Sequence, residues 1–103
     1  MFETYRTRIY SSPSVIDELA RYCDSGFIIT GTGIWKGKRE DAAIMEMVCE
    51  DTELDRIISR AVTIAANERE DAILATAQPI NAAIITASGD RLPVIASIME
   101  TIH

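Results

Sequence analysis

Histidine and cysteine are scarce in this sequence of 103 residues, which has one histidine, His103, and two cysteines, Cys23 and Cys49. Because the lone histidine is the last residue, no Ser-His or Cys-His arrangement can form inside a folded body, and acyl-transfer catalysis has no support. The cysteines have no close metal spacing, which indicates buried, reduced thiols rather than a metal site or a disulfide. We expect a protein that is not an enzyme and that needs no cofactor or metal.

Long apolar runs are also absent. No stretch approaches the roughly 20 apolar residues that a membrane-spanning helix needs, and the run Ala72–Ala77 stops at Gln78-Pro79. The segment Met1–Arg6 carries an acid and lacks the apolar region of a secretory signal. We therefore expect a cytoplasmic protein with no membrane partner.

Positive charge is in deficit, with ten basic against 16 acidic residues and a net charge of −6. A surface with this balance repels polyanions, so the sequence predicts no nucleic acid polymer as a partner. A small anionic ligand needs only a local basic cluster, and one exists at Lys36, Lys38 and Arg39.

The length and a hydrophobic content of 48% fit one domain over residues 1–103. Alternating β-branched and aromatic residues predict strands, and apolar residues at i, i+3, i+4 and i+7 predict helices. In chain order, the patterns predict a strand over Phe2–Tyr10, a helix over Pro13–Asp24 stopped by Gly26, a hairpin of Phe27–Trp35 and Ala42–Cys49 around a polar turn at Lys36–Glu40, a helix from Asp51 or Thr52 to Asn67, strands at Ala72–Ala77 and Ala82–Ala87, and a last helix capped by Asp90.

This order is β-α-β-β-α-β with a C-terminal helix added. It is the ferredoxin-like pattern of the α+β class, an antiparallel sheet with both main helices on one face. The hairpin and the stretch Ala72–Ala87 carry apolar or small residues on both sides, whereas a sheet with one solvated face alternates. Such a sheet needs a second cover, which three copies meeting face to edge would supply. We predict a homo-oligomer, a trimer or a multiple of it.

The stretch Gly31–Asp41 is the most unusual, since it combines three glycines with the only tryptophan, Trp35, and three basic residues. Backbone amides and cations can hold a phosphate, and an aromatic ring can stack on a base. The spacing of a P-loop or of a G-x-G-x-x-G fingerprint is absent. The competing interpretation is a twisted hairpin whose glycines permit a bulge, whose tryptophan packs under a neighbouring subunit and whose charges are solvated.

Three other sets of charged residues each allow more than one interpretation. The acids of Asn67–Asp71 could hold a divalent cation, or they form a solvated surface that Arg69 partly neutralises. Arg6 and Arg8 share one face of the first strand, so they line a polar groove or pair with acids such as Glu46. The pair Glu40-Asp41 would serve acid–base catalysis only if it were buried.

The sequence Trp35-Lys36-Gly37-Lys38, followed by Glu40-Asp41 and Ala42–Cys49, resembles a segment of the CutA proteins, and Gln78-Pro79-Ile80 with Gly89–Pro93 resembles their ending. The resemblance in element order covers nearly the whole chain, and the match in residues covers two short motifs. It implies a trimer of ferredoxin-like subunits with a structural or metal-tolerance role. The Cys-Val-Asn and His-Pro-Tyr-Glu segments of CutA are here Phe27–Thr30 and Asn67–Glu70, so a copper site is not implied.

CutA belongs to the wider PII/CutA-like superfamily, whose PII-like members bind nucleotides between subunits and act as sensors. The connection Lys36–Glu40 is too short for the long loop of true PII. The glycine–tryptophan hairpin followed by Glu40-Asp41 also resembles phage-encoded Thoeris anti-defence proteins, oligomeric sponges that sequester cyclic ADP-ribose-type signals. These resemblances imply a non-enzymatic oligomer that binds a nucleotide-like anion, in the host cytoplasm if a phage encodes it. The alternative is a CutA-like structural or metal-tolerance trimer without a nucleotide site.

We predict that the ligand lies where the hairpin Gly31–Glu40 of one subunit meets the loop Asn67–Asp71 of a neighbour. Glycines would permit close backbone approach, an aromatic ring would stack on or wall the ligand, cations would meet phosphates and amides would bind polar edges. The glycine candidates are Gly31 and Gly33, and the aromatic candidate is Trp35. The candidate cations are Lys36, Lys38, Arg39 and Arg69, and the candidate amides are Asn67 and Gln78.

Overall fold

A computed structural model describes residues 4–92, apart from the side chains at positions 84, 91 and 92. Two helices alternate with four main strands in the predicted β-α-β-β-α-β order, which is thereby confirmed. The elements are β1 (Thr4–Ser11), α1 (Pro13–Ala20), β2 (Phe27–Trp35), β3 (Lys38–Glu50), α2 (Asp51–Asn67) and β4 (Leu74–Ile80), followed by the short strands β5 (Ile84–Ile85) and β6 (Arg91–Leu92). None of the helices within this part of the chain combines the length and the apolar character of a membrane span.

The main strands form one antiparallel sheet in the order β2-β3-β1-β4, which is the ferredoxin-like topology. Ile9 lies opposite Met45, and Arg8 lies opposite Glu46. Because side chains alternate along a strand, these two pairs project from opposite faces. The α+β fold class and the placement of Arg6 and Arg8 on one face are therefore confirmed.

The core lies between one face of the sheet and the two helices. On the sheet side, Ile9 and Met47 are almost fully buried, and α1 contributes Val15, Ile16 and Leu19. Helix α2 buries a stripe at Ile57, Ala61, Ile64 and Ala65, which is the spacing of one helical face. Burying each isoleucine, leucine, valine or methionine side chain of this core stabilises the fold by about 1.5–3 kcal/mol. The other face of the sheet, which we call the open face, points away from the helices.

Several element boundaries differ from the prediction, among them those of α1, α2 and β4 and the strand predicted over Ala82–Ala87, which is reduced to Ile84–Ile85. Helix α1 ends at Ala20 rather than Asp24, because Tyr22 and Cys23 pack against the core from the turn that follows it. Helix α2 begins at Asp51 with Glu50 at its N-cap, whereas the sequence favours Asp51 or Thr52 as the cap, and it ends at Asn67 as predicted. Strand β4 continues through Pro79, which is possible because β4 is an edge strand, as the proline required.

The connection between β2 and β3 is much tighter than the predicted polar turn Lys36–Glu40. Only Lys36 and Gly37 connect the strands, with φ of 50° and 79°. Two successive positive φ values define a type I′ turn, whose twist matches that of the flanking strands. Lys38 and Arg39 therefore belong to β3, and the prediction that they lie in a loop is wrong.

The last predicted helix is corrected at its start. Asp90 does not cap a helix, because Arg91–Leu92 pairs with Ile84–Ile85 in a second, two-stranded sheet. Between these strands, the Asp90 amide donates to Thr86 Oγ1 at 3.0 Å, and the Thr86 amide donates to the Asp90 carbonyl at 2.9 Å. These bonds close a hairpin at the position where the sequence favours a helix cap. The rest of that predicted helix lies outside the described residues.

Candidate functional site

A groove of about 840 Å³ opens where the central strand β1 stops. Ser11, the last residue of β1, pairs with Ala43, so Lys38–Ala42 of β3 extend past it without a β1 partner. Tyr10–Ser12 lie at the base of the groove. Its walls are the β2–β3 hairpin, through Ile29–Trp35 and Glu40–Ile44, and the segment Arg69–Leu74 that leads from α2 into β4.

The hairpin and the α2–β4 segment touch each other at the mouth of the groove, within one chain. Trp35 Nε1 donates to Asp71 Oδ2 at 3.5 Å, and Lys36 Nζ lies 3.6 Å from the same oxygen. Lys36 Nζ also lies 5.7 Å from the centre of the Trp35 ring, within the range of a cation–π contact. We predicted that the loop of a neighbouring subunit would meet the hairpin, whereas here the chain's own loop does so.

The groove brings together four of the predicted site residues, Gly31, Gly33, Trp35 and Arg69. Lys36 lies at its rim, bound to Asp71. The other predicted candidates, Lys38, Arg39, Asn67 and Gln78, do not line it.

Those four candidates have different surroundings. Lys38 and Arg39 are exposed at the start of β3, with no ion pair to any of the described residues. Asn67 is exposed at the end of α2. Gln78 lies opposite Arg6 on β1 and accepts a hydrogen bond from its Nη2 at 2.6 Å, which occupies the amide oxygen away from the groove.

The two groove glycines have different structural roles. A Cβ added at Gly31 would have no atom within 4 Å, so the missing side chain leaves open space in the groove. A Cβ added at Gly33 would lie 3.1 Å from the Cβ of Ala42 on β3, which is a crowded approach. Gly31 therefore keeps the groove accessible, whereas Gly33 permits close packing within the hairpin.

Carboxylates line the groove, which sequence reasoning did not foresee. Glu40 and Asp41 come from β3, and Glu70 and Asp71 come from the opposite wall. Asp71 is bound to Lys36, but Glu40, Asp41 and Glu70 have no ion pair to the described residues. Within residues 4–92, no three His, Cys, Asp or Glu side chains come together in a group that could hold a metal ion. The described lining therefore carries a net negative charge, because its carboxylates outnumber its cation, Arg69.

This arrangement determines which chemical groups fit. Trp35 is 46% exposed, so its ring offers a face on which a planar group can stack. The carboxylates accept hydrogen bonds but donate none, so they favour amino and imino groups of a ligand over phosphates. Arg69 lines the groove and Lys36 lies at its rim, whereas the two adjacent cations Lys38 and Arg39 lie outside it on the hairpin.

The sequence matches no protein-family model and no curated protein. Solved structures do match. PII from Arabidopsis thaliana bound to citrate superposes with a TM-score of 0.68 at 15% identity, covering 100% of this chain and 97% of that one. The GlnK–ATP complex of B. subtilis superposes with a TM-score of 0.63 at 16% identity, covering 86% of this chain and 92% of that one. CutA1 from Oryza sativa superposes with a TM-score of 0.55 at 16% identity, covering 79% of this chain and 83% of that one.

A longer protein contains the same fold. A Bacillus cereus protein related to NIF3 matches with a TM-score of 0.65 at 14% identity over 79% of this chain, which spans only 26% of that protein. Together, these likenesses show that the chain has the PII/CutA-like fold, as the resemblance of its hairpin and tail implied. The resemblance to the phage sponge proteins stays a prediction.

Proposed function

We propose that this chain is a non-enzymatic, homo-oligomeric binding protein for a nucleotide-like anion, acting in the cytoplasm. The observation that carries the proposal is the groove walled by the exposed Trp35, next to a hairpin with the unpaired cations Lys38 and Arg39. The solved structures of the same fold support an anionic ligand, because one contains ATP and another contains citrate.

The charges favour one orientation of a nucleotide. Its base would lie in the groove against Trp35, where the carboxylates of Glu40 and Glu70 can accept hydrogen bonds from amino groups. Its phosphates would lie outside, because Arg69 is outnumbered by four carboxylates in the described lining of the groove. Lys38 and Arg39 of a neighbouring copy are candidates for binding these phosphates, and Lys36 would exchange Asp71 for a phosphate.

The edge strand β2 supports assembly into an oligomer. Its nine residues include no charged side chain, and its large apolar residues are exposed on both faces, with Phe27 at 73%, Ile28 at 46% and Ile34 at 71%. A long, uncharged and uncovered edge strand is a site of pairing with another chain. A second copy of this chain would cover it, in agreement with the predicted trimer.

Isothermal titration calorimetry with ATP, GTP, cyclic ADP-ribose and inorganic phosphate tests the proposal. We expect at least one nucleotide to bind, Trp35→Ala to weaken it, and the double variant Lys38→Ala/Arg39→Ala to weaken it by about tenfold or more, since hydrogen bonds to charged groups contribute about 1.5–3 kcal/mol. Arg21→Ala is the matched control, because Arg21 is an exposed cation directly after α1 that pairs with Glu18 at 3.5 Å. Folded protein that binds none of these compounds would overturn the proposal.

The ligand profile also separates the sensor, sponge and CutA-like versions. Preference for ATP supports a PII-like sensor. Preference for cyclic ADP-ribose, released unchanged on denaturation, supports a sequestering sponge of the anti-defence kind. The likeness to rice CutA1 favours a second candidate, a structural or metal-tolerance trimer. It predicts that Cu²⁺, and none of the nucleotides, raises the melting temperature.

A further inference from the structure

The open face of the sheet combines exposed apolar side chains with a small set of charges. Phe27 on β2 is 73% exposed, Ile29 is 49% exposed and Leu74 on β4 is 58% exposed. By register, Phe27 lies beside Glu46, Ile29 beside Ile44, and Leu74 beside Tyr10. These side chains form one apolar band across the strands, of the kind that marks a contact surface. The band continues into the groove, which Tyr10, Ile29, Ile44 and Leu74 also line.

Some charged side chains that β1 and β3 present on this face have no oppositely charged partner among the described residues. Arg8 Nε donates to Glu46 Oε1 at 2.5 Å, which neutralises both groups. Among residues 4–92, Arg6 donates to the neutral amide of Gln78 and has no ion pair. Glu50, which lies opposite Thr4 and therefore on the same face, has no ion pair to any described residue. One positive and one negative group thus lack an oppositely charged partner at the end of the sheet away from the groove.

Covering this face with another protein would take Arg6 and Glu50 out of water. An unpaired charge buried in an interface is strongly destabilising, whereas a complementary pair is tolerated and sets the partner's orientation. We infer that a second copy of this chain covers the open face and that Arg6 of one copy pairs with Glu50 of the other. This inference rests on the proposed homo-oligomer and specifies which charges hold its copies in register.

A second copy fits better than a partner of one charge sign. A basic partner would satisfy Glu50 and repel Arg6, and an acidic partner would do the reverse. The face carries both signs itself, so two copies satisfy both residues, and a symmetric oligomer repeats such a contact. The other charges on this face, Lys38 and Glu40, lie at the hairpin end of β3, beyond the residues paired with β1.

Charge reversal tests the inference. Arg6→Glu and Glu50→Arg are prepared separately, and their oligomeric state is measured by native mass spectrometry and light scattering at equal concentration. We expect each reversal to raise the concentration at which the oligomer dissociates by about 30-fold or more, because like charges then face each other across the contact. When the two variants are mixed, one isotopically labelled, opposite charges face each other again, and mixed oligomers should form in excess over either variant alone.

Mixing separates a contact between copies from an effect within one chain. Arg6→Glu places a carboxylate diagonal to Glu46 and Glu50, and repulsion inside one chain is not relieved by a second variant. Arg21→Glu, directly after α1, is the control and should assemble like the wild type. Far-UV circular dichroism shows whether each variant folds. Should a reversal fail to fold, Arg6→Gln and Glu50→Gln replace the pair, with a loss of assembly of about threefold or more expected from each.

The outcomes for the assembly and for the charge pair are distinct. A wild-type protein that is monomeric would overturn the proposed homo-oligomer and this inference with it. A wild-type oligomer whose variants assemble normally, or whose mixed variants fail to co-assemble, would overturn the Arg6–Glu50 pairing and leave the oligomer standing.

Discussion

Two glycines provide a matched pair of substitutions, because the same change meets opposite surroundings. At Gly26, between α1 and β2, an added Cβ would lie 2.9 Å from the backbone oxygen of Glu46 and 3.3 Å from Met45 Sδ. At Gly31, within β2, it would meet no atom within 4 Å. Gly26→Ala therefore forces the backbone of β3 or of its neighbour to move, whereas Gly31→Ala requires no movement.

The expected magnitudes follow from these distances. An ordinary van der Waals contact of a Cβ atom lies at 3.4–4 Å, so Gly26→Ala must open the approach to Glu46 by about 0.5 Å. Overpacking of this kind destabilises a fold by about 1–3 kcal/mol. Gly31→Ala lowers the conformational entropy of the unfolded chain and introduces no clash, so we expect it to stabilise the protein by about 0.4–1 kcal/mol.

Urea unfolding followed by far-UV circular dichroism measures both effects, at one protein concentration because assembly adds to apparent stability. The midpoint should fall for Gly26→Ala and stay unchanged or rise for Gly31→Ala, with equal slopes. A Gly26→Ala free energy of unfolding within about 0.5 kcal/mol of the wild type, which is the range of ordinary surface substitutions, would refute the close approach. A loss of stability in Gly31→Ala would show that the space beside Gly31 is filled, and with it the groove.

Three further predictions concern the turn, the core and the thiols. Gly37→Ala should destabilise the hairpin by about 1–2 kcal/mol, since φ at Gly37 is 79° and a Cβ is strained there; a melting temperature equal to that of the wild type would contradict the type I′ turn. Ile9→Ala, at a site with 0% exposure, should cost about 2–5 kcal/mol in urea unfolding, and a cost below about 1 kcal/mol would place Ile9 outside the packed core. Burial raises the pKa of Cys23 to about 11 from an ordinary 9, so its thiolate fraction at pH 8 is about 100-fold lower than that of a free thiol. Alkylation of Cys23 by iodoacetamide should be slow at pH 8 and should accelerate up to pH 11. The folded state favours the protonated thiol, so its contribution to the free energy of unfolding is complete below pH 9 and is lost between pH 9 and pH 11. Labelling of the folded protein at the rate of a free thiol would be the contrary result.

The sequence was sufficient for the order of elements, because both helices and the central strands bury one face of regular period. Ile57, Ala61 and Ala65 recur at helical spacing, and all three are buried against the sheet. Ile9 and Arg8 project to opposite faces as the alternation of β1 required. Pro79, which lacks a backbone N–H, restricts a strand to an edge or a bulge, and β4 is an edge strand. The predicted ion pair of Arg8 with Glu46 is confirmed as well.

Periodicity was insufficient where local hydrogen bonds or turn geometry determine the structure. The charges of Lys38–Asp41 resemble a loop, yet the type I′ turn at Lys36–Gly37 lets pairing begin at once, at Trp35 and Lys38. Asp90 resembles a helix cap, yet Thr86 and Asp90 close a hairpin over Arg91–Leu92. At Lys38–Asp41 and at Asp90–Leu92, local pairing therefore outweighs the sequence pattern.

The same tight turn explains why the predicted site was only partly correct. Counted along the sequence, Gly31–Asp41 is a cluster of glycine, tryptophan and cations, which suggests one anion site. In the fold, β3 carries Lys38 and Arg39 outside the groove, whereas Glu40 and Asp41 from the same strand line it. One chain thus presents an acidic groove with an aromatic wall and, separately, a pair of free cations. The proposed anion binding therefore calls for cations of a neighbour at the groove, and we expect binding and assembly of this protein to depend on each other.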